Sequence, residues 1–289
     1  MKINQAVKDI YLIVDIGNTH TVIGVFFGGK IDQQCLRIRT EKNLTADELY
    51  SLVCLYLKTK WAIDIKDVKK ILIASVVPQL KNLWFSVFLD CFLVSYKLPW
   101  SFSTSRLVPS QVGDDRFVNI EALVDKVNKN FIVIDAGTAT TFDVVKYQNH
   151  SHCYFGGVIA PGLSISMDSL LNSASRLRDI HTGGFTKDQV KVVGQNTDQA
   201  LRSGYLHGYA CMIDGMINRI VSEQKWGKDF ELYFTGGLAE QIAQFCDLEY
   251  IVDNLLTLKG IKKIFDKQSS LKQAEQKTSI NISVKQLSD

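Results

Sequence analysis

Two short segments of the chain carry acidic, glycine and hydroxyl residues in the same order. They are Asp15-Ile16-Gly17-Asn18-Thr19-His20-Thr21 and Asp135-Ala136-Gly137-Thr138-Ala139-Thr140-Thr141. Each follows a short apolar run, Tyr11 to Val14 in the first and Phe131 to Ile134 in the second, of the kind that forms a buried strand. A carboxylate at the end of such a strand can hold a cation, directly or through water. The glycine lets backbone N–H groups approach a phosphate closely, and the hydroxyls add neutral donors to phosphate oxygens. A tight hairpin also uses glycine and asparagine, so one such turn decides little. Two of them, with a further cluster at Thr235-Gly236-Gly237, favour a nucleotide triphosphate held between facing turns.

Between these turns in sequence lies Val112-Gly113-Asp114-Asp115-Arg116-Phe117-Val118-Asn119. It admits two roles. Aspartate just ahead of a helix serves as an N-cap; equally, a carboxylate beside a guanidinium can act as a general base near a clamp for an acidic substrate. Thr197, in Gly194-Gln195-Asn196-Thr197, is likewise open to an N-cap role or to a hydroxyl contact with substrate. His150-Ser151-His152-Cys153 offers too few ligands for a structural zinc site. No Ser/His/Asp arrangement, Walker A motif or HExxH motif is present.

The elements that must position these residues fall into two similar halves. In the first, strands are expected at Tyr11 to Val14, Val22 to Phe27 and Lys30 to Arg39, the last after the Gly28-Gly29 turn. Thr45-Ala46-Asp47-Glu48 has the form of a capping box and opens a helix to about Thr59. A buried strand over Ile71 to Val77 ends at Pro78, followed by a helix to Asp90, a strand near Phe92 to Tyr96 and a helix over Val118 to Lys126. The second half restarts with strands at Phe131 to Ile134, Thr141 to Lys146 and Tyr154 to Ala160. Helices are expected over Leu163 to Leu177 and Asp198 to Glu223, the latter with Gly204, Gly208 and Gly215 set for close packing against a neighbour. A strand at Glu231 to Phe234 and a closing helix over Leu256 to Phe265 complete it. The domain expectation is therefore residues 1–127, residues 128–266 and a loosely held polar tail at 267–289.

Composition narrows the class. The chain has 289 residues, 46% hydrophobic and 22% charged, which suits a globular protein with ample core. A net charge of +3 is too small to argue for nucleic acid or an anionic membrane. Met1 to Lys8 lack an apolar signal core, and Leu83 to Val94 is too short to span a bilayer. Six cysteines without paired spacing fit reduced thiols, so a cytoplasmic location is expected.

Taken together, the motifs resemble those of type III pantothenate kinases, from the superfamily that unites acetate kinase, sugar kinases and actin. The resemblance rests on Asp15-x-Gly17-Asn18-Thr19, Ser75-Val76-Val77-Pro78, Gly113-x-Asp115-Arg116 and Asp135-x-Gly137-Thr138-Ala139-Thr140-Thr141. It continues with Gly156-Gly157-x-Ile159-x-Pro161-Gly162, Gly194-x-x-Thr197 and Thr235-Gly236-Gly237, in the family's order. It implies an α/β fold of duplicated RNase H-like (actin-like ATPase) domains with a nucleotide cleft between them. It also implies ATP-dependent phosphorylation of pantothenate, the first step of coenzyme A biosynthesis. By the same resemblance, Asp15, Ile16, Gly17, Asn18, Thr19, His20, Thr21 and Val22 would bind ATP with Asp15 near Mg2+, and Thr138 would contact ATP. Asp115 would accept the proton of the pantothenate hydroxyl, and Gly113, Asp114, Asp115, Arg116 and Thr197 would line the pantothenate site. Asp135 would coordinate a monovalent cation, K+ or NH4+, and the protein would be a homodimer.

The chain departs from the family pattern at Asp114, Val108, Ala174 and Arg178. Two other functions compete: a non-catalytic accessory or regulatory protein that keeps the nucleotide fold, and a kinase for another small hydroxylated acid or sugar. Retention of Asp15, Asp115, Arg116 and Asp135 speaks against the first.

Overall fold

The computed structural model describes residues 9–173 and 184–286, so Ala174 and Arg178 lie outside it. The chain divides into two compact units. One holds the described residues of Met1–Ser101, Val108–Leu123 and Thr257–Asp289; the other holds Phe102–Leu107 and those of Val124–Leu256.

The first unit begins with β1 (Ile10–Ile16), β2 (His20–Phe27), β3 (Lys30–Ile31) and β4 (Leu36–Arg39). Helix α1 (Ala46–Trp61) follows, then β5 (Val68–Ser75), α2 (Pro78–Val87), β6 (Cys91–Leu93) and α3 (Asp114–Glu121). The strands make one sheet in the order β3-β2-β1-β5-β6, with β4 also on β2. β1 is central, antiparallel to β2 and parallel to β5. Its near-continuous apolar run reflects burial on both faces: Leu12, Ile13 and Val14 are fully buried. The Thr45 capping box forms as its spacing dictates, with Glu48 N–H donating to the Thr45 hydroxyl and Thr45 N–H to the Glu48 carboxylate.

The second unit contains β7 (Asn130–Ala136), β8 (Ala139–Gln148), β9 (Ser151–Pro161), α4 (Leu163–Ser173), α5 (Thr197–Ser203), α6 (Tyr209–Gln224), β10 (Phe230–Thr235), α7 (Ala239–Ala243) and β11 (Ile251–Val252). Its sheet runs β11-β10-β7-β8-β9. Here β7 is central, antiparallel to β8 and parallel to β10. Counted within each unit, both sheets have the strand order 3-2-1-4-5 along their main path. β1 and β7 even share one burial pattern over seven residues, with Asp15 and Asp135 at the same place in it. This is the duplicated RNase H-like fold.

Several elements differ from the sequence expectation. The helix anticipated over Asp198 to Glu223 is interrupted by a wide π turn at Gly204–Gly208, where glycine lowers the cost of leaving regular α geometry. The polar stretch after Phe265 is not a loose tail: α8 (Leu256–Gln286) runs through it. From Thr257 onward this helix belongs with the first unit, not with the second as the expected boundary had it.

Local contacts explain why. Leu258 packs over Gly24 of β2, and a β-carbon on Gly260 would collide with the Val118 carbonyl of α3. The Lys262 ammonium reaches both Asp266 oxygens at 2.6 Å while lying over the rings of Tyr11 and Phe26. Further along, Lys263 donates to the Glu121 carbonyl and Lys267 to the Ser101 hydroxyl. Gly260→Val should therefore separate α8 from α3 and cost about 1–3 kcal/mol, the usual range for overpacking. Chemical denaturation would show it, and unchanged stability would mean that the helices do not touch there.

Candidate active site

The first glycine turn joins β1 to β2. Asp15 pairs with Val22 and Ile16 with Thr21, and the Gly17 N–H donates to the His20 carbonyl at 3.0 Å. Thr40, the residue after β4, braces this turn. Its N–H donates to the Thr19 carbonyl at 2.8 Å and its hydroxyl to the Gly17 carbonyl at 2.7 Å. The buried Thr21 and Thr40 hydroxyls also bond to each other. The side chains of Ile16 and Thr21 thus face the core and the Gly17 N–H is committed within the turn. Asn18, Thr19 and His20 are left exposed at the tip, with Asp15 partly exposed at the strand end. Partial burial, then the charges of Arg37 and Arg39, hold the His20 imidazole below the usual histidine range. The tip therefore presents neutral donors.

The acidic segment occupies the first turn of α3. Gly113 is the N-cap, so Asp114 and Asp115 are the first helical residues and neither serves as the cap residue itself. The Asp115 carboxylate folds back, accepting from the Arg116 N–H at 2.9 Å. A β-carbon on Gly113 would strike the Asp115 Oδ1, so glycine is required for this conformation. Burial raises the Asp115 carboxyl above the usual range, against the Arg116 N–H and the Arg116 charge. Asp114 is pushed up to about 6, chiefly by burial, with the Asp115 charge adding and Lys81 opposing. Behind this turn α3 is anchored by Glu121, fully buried, which accepts from the Ser101 N–H at 2.9 Å and the Ser101 hydroxyl at 2.7 Å. Thr257 of α8 donates to Asn119 at 2.8 Å. Sequence reading missed this support, because nothing local links Glu121 to Ser101 or Asn119 to Thr257.

Because the folded Asp114 binds its proton more tightly than an unfolded aspartate, its contribution to stability is complete below about pH 4 and is lost as pH rises through about 6. Thermal melts of Asp114→Asn and the unaltered chain should diverge across that window, the unaltered chain losing ground as pH rises. A pH-independent difference would place Asp114 in free solvent.

In the second unit, Asp135 sits at the end of β7, paired with Thr141 on one side and with the buried Thr235 on the other. Gly137 N–H donates to the Ala139 carbonyl at 3.1 Å, the counterpart of the Gly17 bond. Two other glycines press on this turn. Gly236, at φ +95°, leaves room where a β-carbon would lie 2.5 Å from Asp135 Oδ1; a β-carbon on Gly162 would collide with the Thr138 carbonyl. Thr140 is buried and bonds to the Tyr209 hydroxyl, so only Thr138 and Thr141 remain partly exposed. Among the described residues no group of three His, Cys, Asp or Glu side chains could hold a metal. A cation at Asp135 would be met by one carboxylate and by carbonyl, hydroxyl or water oxygens. That donor set suits a hard cation and not a transition metal.

Thr197 is the first residue of α5, and the cap is Asn196, whose side chain accepts from the Gln199 N–H at 2.9 Å. The threonine hydroxyl is thus spared that role. Thr197 lines a cavity of about 870 Å³ with Pro161, Leu163, Met167, Tyr205 and Tyr209, within the second unit. Val108 is exposed ahead of the short turn at Pro109–Gln111.

Residues 11–219 match the family model for type III pantothenate kinase. The chain is 37% identical over 266 residues to the type III pantothenate kinase of Desulforapulum autotrophicum, covering 88% of this chain and 96% of that one. It is 38% identical over 261 residues to that of Desulfosudis oleivorans, covering 88% and 97%. Among solved structures, a reductive activator for a corrinoid, iron–sulfur protein superposes with a TM-score of 0.51 at 10% identity. It covers 93% of this chain and 63% of its own, a likeness of fold alone.

Proposed function

The chain belongs to the type III pantothenate kinase family, and on that premise we propose that it transfers the γ-phosphoryl group of ATP to the primary hydroxyl of pantothenate. The product is 4'-phosphopantothenate, the first step of coenzyme A biosynthesis. The observation that carries the reading is Asp115: a glycine-enabled, backbone-held carboxylate with a raised pKa at the start of a firmly anchored helix. A general base works best when its pKa lies near the operating pH.

Phosphoryl transfer passes through a loose transition state, so the protein's task is positioning and charge neutralisation. Asp115 orients the pantothenate hydroxyl and receives its proton late in the transfer. Gly113, Asp114 and Arg116 shape the surrounding acceptor site, and the Thr197 hydroxyl contacts pantothenate. Asn18, Thr19 and His20 donate to phosphate oxygens, Val22 flanks them, and Thr138 contacts ATP. Asp15 holds Mg2+ and Asp135 a monovalent cation, K+ or NH4+; these ions supply neutralisation of phosphate charge when bound. The space that Gly236 leaves beside Asp135 supports the second assignment.

The active form in this reading is a homodimer. Gly204 and Gly208 of the π turn and Gly215 of α6 are exposed, and a β-carbon on any of them meets nothing within 4 Å. Such a surface lets another backbone approach closely, and sedimentation of the purified chain would give the assembly state. The reading also places the protein in the cytoplasm, where its six unpaired cysteines stay reduced. Among the described residues no helix is long and apolar enough to cross a membrane.

A coupled ADP-release assay tests the proposal. Release that requires pantothenate and rises with potassium supports it. Release with a sugar or another hydroxy acid instead would favour the alternative substrate class, and no release at all would favour an accessory protein.

A further inference from the structure

β4 is a short edge strand in which Leu36 and Ile38 are partly buried while Arg37 and Arg39 are exposed. It pairs antiparallel with β2, Arg39 opposite His20 and Arg37 opposite Val22. On its other side Val22 pairs with Asp15. Directly paired residues project to the same face of a sheet, so Asp15, Val22 and Arg37 form one row across three strands. With strands about 4.8 Å apart, the backbones of Asp15 and Arg37 are about 10 Å apart, with only the Val22 side chain between them.

Edge strands often carry charge merely to discourage pairing with other chains. Arg37 does more than that, because its guanidinium turns along the sheet and approaches His20 Nδ1 at 3.4 Å. It is thereby held over the tip of the first turn. No ion pair engages Arg37 or Arg39 among the described residues. The tip itself offers neutral donors, and Asp15 is an anion. Something must neutralise a polyphosphate on the side away from any cation that Asp15 holds.

We infer that Arg37 is a phosphate-positioning residue, which grips the nucleotide polyphosphate from the strand opposite Asp15 by the paired N–H donors of its guanidinium. The inference rests on reading the first turn as the phosphate site. Its planar fork matches two phosphate oxygens, where a lysine would offer only a point charge. Arg39, one step along the same face, adds attraction without direct contact. His20 fixes the guanidinium direction, since a neutral imidazole nitrogen can accept from it.

Calorimetric titration of Mg·ATP into the unaltered chain and into Arg37→Ala, Arg37→Lys and Arg39→Ala separates the outcomes without needing turnover. The expected result is about 10-fold or greater loss of ATP affinity in Arg37→Ala, as for loss of a hydrogen bond between charged groups. Recovery in Arg37→Lys should be partial and the loss in Arg39→Ala smaller. In steady state the KM for ATP should rise while the KM for pantothenate does not. Arg37→Gln replaces the alanine variant if thermal melting shows misfolding. Unchanged ATP affinity in a folded Arg37 variant would overturn the inference, as would full recovery by lysine for the paired-donor grip. If the unaltered chain binds ATP but leaves pantothenate untouched, the kinase reading fails while the titration still judges Arg37. A chain that binds no ATP ends both.

Discussion

Asp115→Asn should lower kcat by about 10²–10⁴, the range typical of losing a positioned acid–base group, with ATP affinity almost unchanged. The substitution is chosen to isolate chemistry from folding. Asparagine keeps an oxygen that can accept from the Arg116 N–H, so the first turn of α3 retains its 2.9 Å bond. It is also nearly isosteric with aspartate, and the gap guarded by Gly113 stays filled. What is lost is the capacity to take a proton. A carboxylate serving only to complement the helix N-terminus would instead show its loss in stability, by about 0.3–1 kcal/mol, with turnover preserved. The pH profile adds a second criterion. Burial raises the Asp115 carboxyl, so kcat/KM of the unaltered enzyme should climb as pH increases through that raised value. In the variant this limb should vanish. Near-normal turnover in Asp115→Asn would refute the assignment.

Gly236→Ala is expected to produce the second large effect, at a residue that need touch no substrate. The new methyl group would lie 2.5 Å from Asp135 Oδ1 and 2.7 Å from Ala136 backbone atoms, at a backbone φ of +95° that alanine adopts only under strain. Either the Thr235-Gly236 bend or the Asp135 carboxylate must move. Disturbing the groups that orient a cation ligand commonly costs about 10–100-fold in affinity or activity. Potassium activation should therefore weaken by about that factor, and Asp135→Asn should abolish it. Titrating potassium into the kinase assay distinguishes this from general damage. A variant with normal maximal rate at high potassium but a shifted half-saturation point has lost the cation site alone. If half-saturation is unchanged in both variants, Asp135 does not hold the ion.

What sequence alone could convey followed the range of the interactions involved. The apolar runs before Asp15 and Asp135 and the Thr45–Glu48 capping box depend on neighbours a few residues away, and each formed where its pattern placed it. A helix was expected over Val118 to Lys126, but α3 spans Asp114–Glu121, with both aspartates inside its first turn, so neither its boundary nor its chemistry was legible. That Gly113 clears space for a carboxylate folding back from Asp115 is a three-dimensional fact. Thr197 was open to an N-cap role or a substrate contact until backbone angles assigned the cap to Asn196. The C-terminal helix was the largest surprise. The lysines and glutamines after Phe265 look like a solvated tail, yet Lys267 directs its ammonium group to the Ser101 hydroxyl, and within the expected closing helix Lys263 reaches the Glu121 carbonyl, both partners lying more than a hundred residues away in sequence. No local pattern encodes a helix that closes on Val118 through Gly260.

Phosphorus NMR of the reaction product interrogates the kinase reading most directly. Incubated with ATP, Mg2+, potassium and pantothenate, the enzyme should yield ADP and a new phosphate-ester resonance split into a triplet by an adjacent methylene, the signature of the primary hydroxyl. A doublet would place the phosphate on the secondary hydroxyl instead. That result, or unaltered pantothenate beside a folded, ATP-bound chain, would contradict the account.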